Sequence, residues 1–164
     1  MFSKNNPSFL EKIFFLPFVL LIRLVSPIFY LRVSPLKVAR IGHLIGEVEI
    51  YLCNKKPSDQ SLITIDFFYI RKNEKICNQF LFSKVKKKIR IIPSYLGKII
   101  YSINTSLNKF FNTKKKFFYD LNLHYSSKFL KMNNQQIYLT EKEIETGKKM
   151  AQKFNLMPDD KYIC

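Results

Sequence analysis

His43, Glu47 and Glu49 are the residues whose types and places best suit chemistry in this chain. An imidazole or a carboxylate held at a strand end is the kind of group a general base must be. The three lie in the stretch Leu36 to Leu52, LKVARIGHLIGEVEIYL. By pattern alone, His43 can equally be a turn residue, and Glu49 a first-turn carboxylate that the helix dipole favours. Gly42 and Gly46 stand four apart, which is not the Gly-x-Gly-x-x-Gly fingerprint of dinucleotide sites.

Elements on both sides must position these groups. Leu36, Val38 and Ile41 predict a buried strand over Lys37–Ile41, then a turn at Gly42-His43 and a helix starting near Glu47. Strand, glycine-bearing turn and helix are the opening unit of a nucleotide-binding-like α/β domain, whose chemistry sits at the carboxyl ends of its strands. The near-continuous apolar run Leu62–Ile70 predicts a second parallel strand. Asp66 inside it is either hydrogen-bonded to nearby backbone or a substrate ligand. A short helix over Cys77–Lys88 follows, with Phe80, Leu81 and Val85 on its packed face. A third strand is expected at Ile89–Ile92, and an amphipathic helix over Tyr95–Phe111 with Leu96, Ile99, Ile100, Ile103, Leu107 and Phe110 inward. Periodicity fails from Asn112 to Gln136, a linker or an acceptor-side loop. Thr140-x-x-Glu143 then reads as a capping box opening a helix that runs to about Phe154. Lys161–Cys164 reads as the start of a further strand.

Arg40-Ile41-Gly42-His43-Leu44, followed by Glu49-x-Tyr51-Leu52-Cys53, resembles the start of a family of bacterial glycosyltransferases associated with surface-polysaccharide synthesis. Ile76-Cys77-Asn78-Gln79, Ile92-Pro93-Ser94 and the segment Leu139 to Cys164 extend the resemblance over most of residues 32–164. The family tends to carry Asn or Asp where this chain has Glu47. The resemblance implies a Rossmann-like parallel sheet with flanking helices, the N-terminal half of a two-domain GT-B architecture. It implies an acceptor-side domain over residues 35–138, with residues 139–164 opening a donor-binding domain that the chain does not complete. Its reaction would be sugar transfer from a nucleotide-sugar donor to a glycan or lipid-linked acceptor, with no cofactor and no metal. In that reading His43, Glu47 and Glu49 are the catalytic candidates, and Arg40, Gly42 and Asn78 are the substrate-binding ones. The chain by itself is then expected to be inactive, because the donor site lies elsewhere.

Composition bounds the other possibilities. The chain has 164 residues, enough for one domain with a core, and a net charge of +16. Such a charge favours anionic partners: lipid headgroups, nucleic acid or phosphorylated substrates. No nucleic-acid-binding motif surrounds the lysine runs, so specific nucleic-acid binding is not expected. Cys53, Cys77 and Cys164 show no metal spacing, and together with the lack of a cleavable signal pattern they suit a reducing cytoplasm. Residues 1–34 read as an apolar membrane-associating segment, most apolar from Ser8 to Leu31. Ile13–Ile22 is uncharged but short of the roughly 20 residues that span a bilayer. Arg23, Pro17, Pro27 and the flanking Lys4, Lys12 and Arg32 suit a helix lying in the membrane interface, with snorkelling of Arg23 allowing a tilted span from Leu10 to Tyr30. The expected location is the inner face of a bacterial plasma membrane, on anionic lipid. The competing class is a non-catalytic basic protein held at that surface.

Overall fold

The structure, a computed structural model, describes residues 7–54, 63–111, 117–118 and 136–154. Its centre is a parallel sheet in the order β1 (Phe29–Leu36), β2 (Ile63–Ile70), β3 (Arg90–Ile91). Helix α1 (Phe9–Leu24) precedes β1. A wide π turn over Gly42–Glu47 runs into α2 (Val48–Asn54) on the way to β2. Helix α3 (Gln79–Lys86) connects β2 to β3, and α4 (Ser94–Phe110) follows β3. The last described helix is α5 (Glu141–Lys153).

The parallel α/β sheet is as expected, and so are the places of β2 and β3. The first strand is not. It lies at Phe29–Leu36 rather than Lys37–Ile41, so the sheet begins inside the segment read as a membrane-associating stretch over residues 1–34. The backbone partners explain the shift. The Val38 and Ala39 amides donate to Glu74 Oε1 at 2.9 and 3.3 Å, and the Val38 carbonyl accepts from Cys77 N at 2.9 Å. Residues 37–40 are therefore a loop satisfied by the loop after β2, not by a neighbouring strand, and Ile41 already has helical backbone. Leu36 and Val38 are both fully buried, which mimics strand alternation past the true strand end. In the real strand Pro35 lacks an N–H, and β1 forms one edge of the sheet, where a missing donor is tolerated.

Both faces of the sheet are covered, as a parallel sheet requires. On one face Leu36 and Phe68 pack with Leu44, Val48 and Tyr51 from the π turn and α2, and with Phe82 and Val85 from α3. On the other, Val33 and Tyr69 pack with Val19 from α1 and with Ile99, Ile100 and Ile103 from α4. The helical faces differ in detail from expectation. Phe80, Leu96 and Phe110 are exposed, whereas Phe82, Gly97 and Asn104 are buried.

Asp66 pairs with side chains of the sheet and of α2. It stands directly across from Arg32 in the β1–β2 register, and the guanidinium donates to both its oxygens at 2.5 and 2.8 Å. The Tyr51 hydroxyl donates to Oδ2 at 2.8 Å. Burial alone would lower the Arg32 pKa, but the hydrogen bond to Asp66 and its charge outweigh it, and the net direction is up. This buried pair belongs to one register only, because a slip by one residue would send both side chains to opposite faces.

Helix α1 opens with a capping box: Ser8 Oγ accepts from Glu11 N, and Glu11 Oε2 accepts from Ser8 N at 2.6 Å. Arg23, expected to snorkel toward headgroups, turns inward instead. It donates to Asn104 Oδ1 and the Asn104 carbonyl at 2.9 and 3.0 Å and to Asn108 Oδ1, with its guanidinium 4.4 Å from the Phe117 ring centroid. Burial lowers its pKa. No helix among the described residues is long and apolar enough to cross a membrane. The capping box at Thr140 and Glu143 is present as expected. Most of the Asn112–Gln136 segment and the strand expected at Lys161–Cys164 lie outside the described residues.

Candidate active site

In a parallel sheet the loops leaving the carboxyl ends of adjacent strands meet at one edge. Here the loop after β1 is tied to the loop after β2 through Glu74 and Cys77, as described above. That clamp fixes the approach of the chain to the π turn. A π segment is rare, and one commonly marks a functional position in a helix. This one carries His43 and Glu47 on its two ends.

His43 Nδ1 lies 2.6 Å from Glu47 Oε1. With the carboxylate ionised, the ring's proton sits on Nδ1 and is donated to Glu47, which leaves Nε2 as a lone-pair acceptor. The side chain of His43 is 34 % exposed and that of Glu47 only 7 %. A half-open imidazole is thus backed by a buried carboxylate. Lys37 Nζ reaches the same Oε1 at 3.3 Å. Glu47 Oε2 is buried with no hydrogen-bond partner. Leaving such an oxygen without a partner is costly, so the contacts of Oε1 with His43 and Lys37 are what hold this carboxylate. The packing that holds Glu47 is local: Leu44 and Val48, on either side of it in the helix, are fully buried under Leu36 and Phe68.

The other sequence candidates divide. Glu49 does not join the dyad. Its carboxylate accepts the backbone amides of Gln136 and, at 2.9 Å, Ile137, tying that distant segment to α2. Asn78 is the N-cap of α3, its side-chain oxygen accepting from Leu81 N at 3.0 Å. Arg40 and Gly42 are exposed at the mouth of the loop beside His43. Lys37 was missed by sequence reading, since the first residue of an expected strand gives no signal of a place beyond a strand's carboxyl end. Glu74 was missed too, since a carboxylate between a strand and a helix gives no sign of which distant amides it will meet.

The arrangement can accept a proton at His43 Nε2 and hold the resulting imidazolium against Glu47. Among the described residues, no group of three His, Cys, Asp or Glu side chains stands where it could hold a metal ion. Comparisons with protein-family models, with curated proteins and with solved structures find no match to this chain.

Proposed function

We propose that this domain activates a hydroxyl group, and that the hydroxyl belongs to the acceptor of a sugar-transfer reaction. The observation that carries the proposal is the 2.6 Å contact between a partly exposed imidazole and a buried carboxylate just past the carboxyl end of β1. The resemblance over Arg40–Cys53 supports sugar as the class. In this reaction His43 Nε2 takes the proton of the acceptor hydroxyl as its oxygen attacks the anomeric carbon of a nucleotide sugar. The bond from that carbon to the diphosphate oxygen breaks, and the nucleoside diphosphate leaves with the bonding pair. Glu47 fixes the ring's tautomer and orientation and steadies its positive charge, the part a carboxylate plays beside a catalytic histidine. Lys37 shares the carboxylate and holds it in place. Arg40, exposed beside the dyad, is the cation nearest in sequence for an anionic group on either substrate.

In this scheme the donor is held by a second domain, and the acceptor-side domain alone forfeits proximity to the reacting carbon. Purified residues 1–164 are therefore expected to release no nucleoside diphosphate from any nucleotide sugar. In a polypeptide joining this domain to a donor domain, His43→Ala should lower turnover by roughly a hundred- to ten-thousand-fold. Its urea midpoint should fall modestly, because buried Glu47 loses its nearest partner, so turnover is compared where circular dichroism shows both proteins equally folded. Near-normal turnover in H43A removes His43 from the chemistry, and robust transfer by residues 1–164 alone overturns the division of labour.

A further inference from the structure

Helix α1 is held to the domain by one narrow stripe. Val19 and Ile22 are buried, Phe15 and Leu16 pack beside α4, and Arg23 is spent on Asn104 and Asn108. The rest of the helix should then be polar, as on a surface helix of a soluble domain. It is the reverse. Phe9, Leu10, Phe14, Phe18, Leu21 and Leu24 are between 53 and 79 % exposed, with no charged residue among them. The helix's charges, Glu11, Lys12 and Arg23, all lie on the inner or flanking side. A contiguous exposed apolar face of this kind marks an interaction or membrane surface.

We infer that this outer face of α1 is seated in the surface of an anionic lipid bilayer, with the helix lying flat in the interface. The charge of the chain selects this occupant over a second copy. At +16, two chains repel each other, whereas an anionic leaflet attracts them. Length agrees: 16 residues rise only about 24 Å, less than the roughly 30 Å hydrocarbon core, and the inner stripe is already committed to α4 and β1. Neither feature suits a span, and both suit an interfacial helix.

The direction of α1 adds a consequence for the site. Glu11 Oε1 accepts from the Tyr95 hydroxyl at 3.1 Å, near the start of α4, and Arg23 meets Asn104 and Asn108 toward its end, so the two helices run parallel. Gly97, early in α4, packs on Tyr69 at the carboxyl end of β2, so both helices run antiparallel to the strands. The end of the sheet that carries His43 is thus the end at which α1 begins. With α1 flat in the interface, that end stands at the rim of the docked face beside Phe9 and Leu10, within reach of a lipid-linked acceptor's headgroup. The docking itself rests on a different face of the sheet from the dyad and does not depend on its chemistry.

The test is flotation of the full chain with vesicles of three parts phosphatidylcholine to one part phosphatidylglycerol at low salt. The chain should float, and Phe14→Glu combined with Leu21→Glu should lower its partition at least roughly tenfold. Met150→Glu, on the exposed helix α5, should leave it unchanged, and circular dichroism should show equal helix content in all three. The chain has no tryptophan, so Phe14→Trp supplies a sole reporter. Its emission should shift to the blue on these vesicles and be quenched by bromine-labelled acyl chains. A wild-type chain that stays unbound, a double variant that floats as well as wild type, or an unquenched Trp at position 14 would each overturn the inference. So would a concentration-dependent dimer, seen by sedimentation without lipid and abolished in the double variant.

Discussion

Gly97→Ala should destabilise this protein, although alanine is the better helix former. Gly97 lies in the first turns of α4, buried where the helix crosses β2. A Cβ added there would stand 2.5 and 2.6 Å from Tyr69 Cγ and Cδ1, and closer still to Tyr69 Cβ. Carbon atoms sit comfortably at about 3.5–4.0 Å, so roughly 1 Å of relief is needed. Rotating the ring cannot supply it, because the tightest contact is with Tyr69 Cβ, an atom carried by the β2 backbone. The tyrosine is also 4 % exposed and packed beside Tyr101. Helix α4 must therefore lift from the sheet, loosening Ile99, Ile100 and Ile103 together. Overpacking of this severity costs about 3 kcal/mol, the upper end of its usual range. The helix-propensity gain returns about 1 kcal/mol, leaving a net loss of about 2 kcal/mol, or roughly 4–8 °C in Tm for a chain of this size. Gly147, in the middle of α5, has nothing within 4 Å of its own added Cβ. Gly147→Ala should therefore stabilise α5 by about 1 kcal/mol and slow its amide exchange roughly fivefold. Urea unfolding followed by far-UV circular dichroism measures the first variant, and hydrogen exchange resolved to α5 the second. A G97A midpoint equal to or above wild type would refute the close packing of α4 on β2.

Removing the buried acceptor of Arg32 is a larger perturbation. Asp66→Ala should cost about 3–5 kcal/mol by chemical denaturation, because it strands a guanidinium whose side chain is only 14 % exposed. Replacing Arg32 and Asp66 together by Met and Leu should recover much of that loss; equal instability of single and double variants would contradict a cross-strand pair. The pH response of α5 follows from Glu143. The hydrogen bond from Lys84, and then the backbone amide of Thr140, hold its carboxyl down at about 2, against an ordinary value near 4.5. A depressed folded value contributes stability that is complete above about pH 4.5 and is lost as pH falls toward 2. Helicity and amide protection in α5 should decline across that window, and Lys84→Ala should move the Glu143 carboxyl titration upward; a flat response from pH 6 to 2 would exclude the contact.

The alternation of elements was legible in the sequence. The run Leu62–Ile70 is apolar enough on both faces to demand a covered strand, and β2 lies at Ile63–Ile70. Thr140 and Glu143 carry their capping geometry in four residues, so nothing distant has to be known. His43 and Glu47 were marked as candidates because both are titratable and follow an expected strand. Their contact is also local, made within one helical segment.

What depends on distant partners was not legible. A segment as apolar as Phe9–Leu36 does not declare which part is helix and which is strand. Here Pro27 lies between them, and β1 exists because Phe29–Leu36 pairs with Ile63–Ile70. Asp66 reads as an oddity until the register sets Arg32 opposite it, and Arg23 reads as a snorkelling cation until α4 brings Asn104 and Asn108 beneath it. Glu49 reads as a catalytic carboxylate until the backbone amides of residues 136 and 137 donate to both its oxygens. Hydrophobic periodicity and capping are properties of neighbours along the chain, so the order and type of elements follow from sequence alone. Which polar groups are consumed by structure and which remain for chemistry is settled by contacts across dozens of residues, and only the folded arrangement makes those.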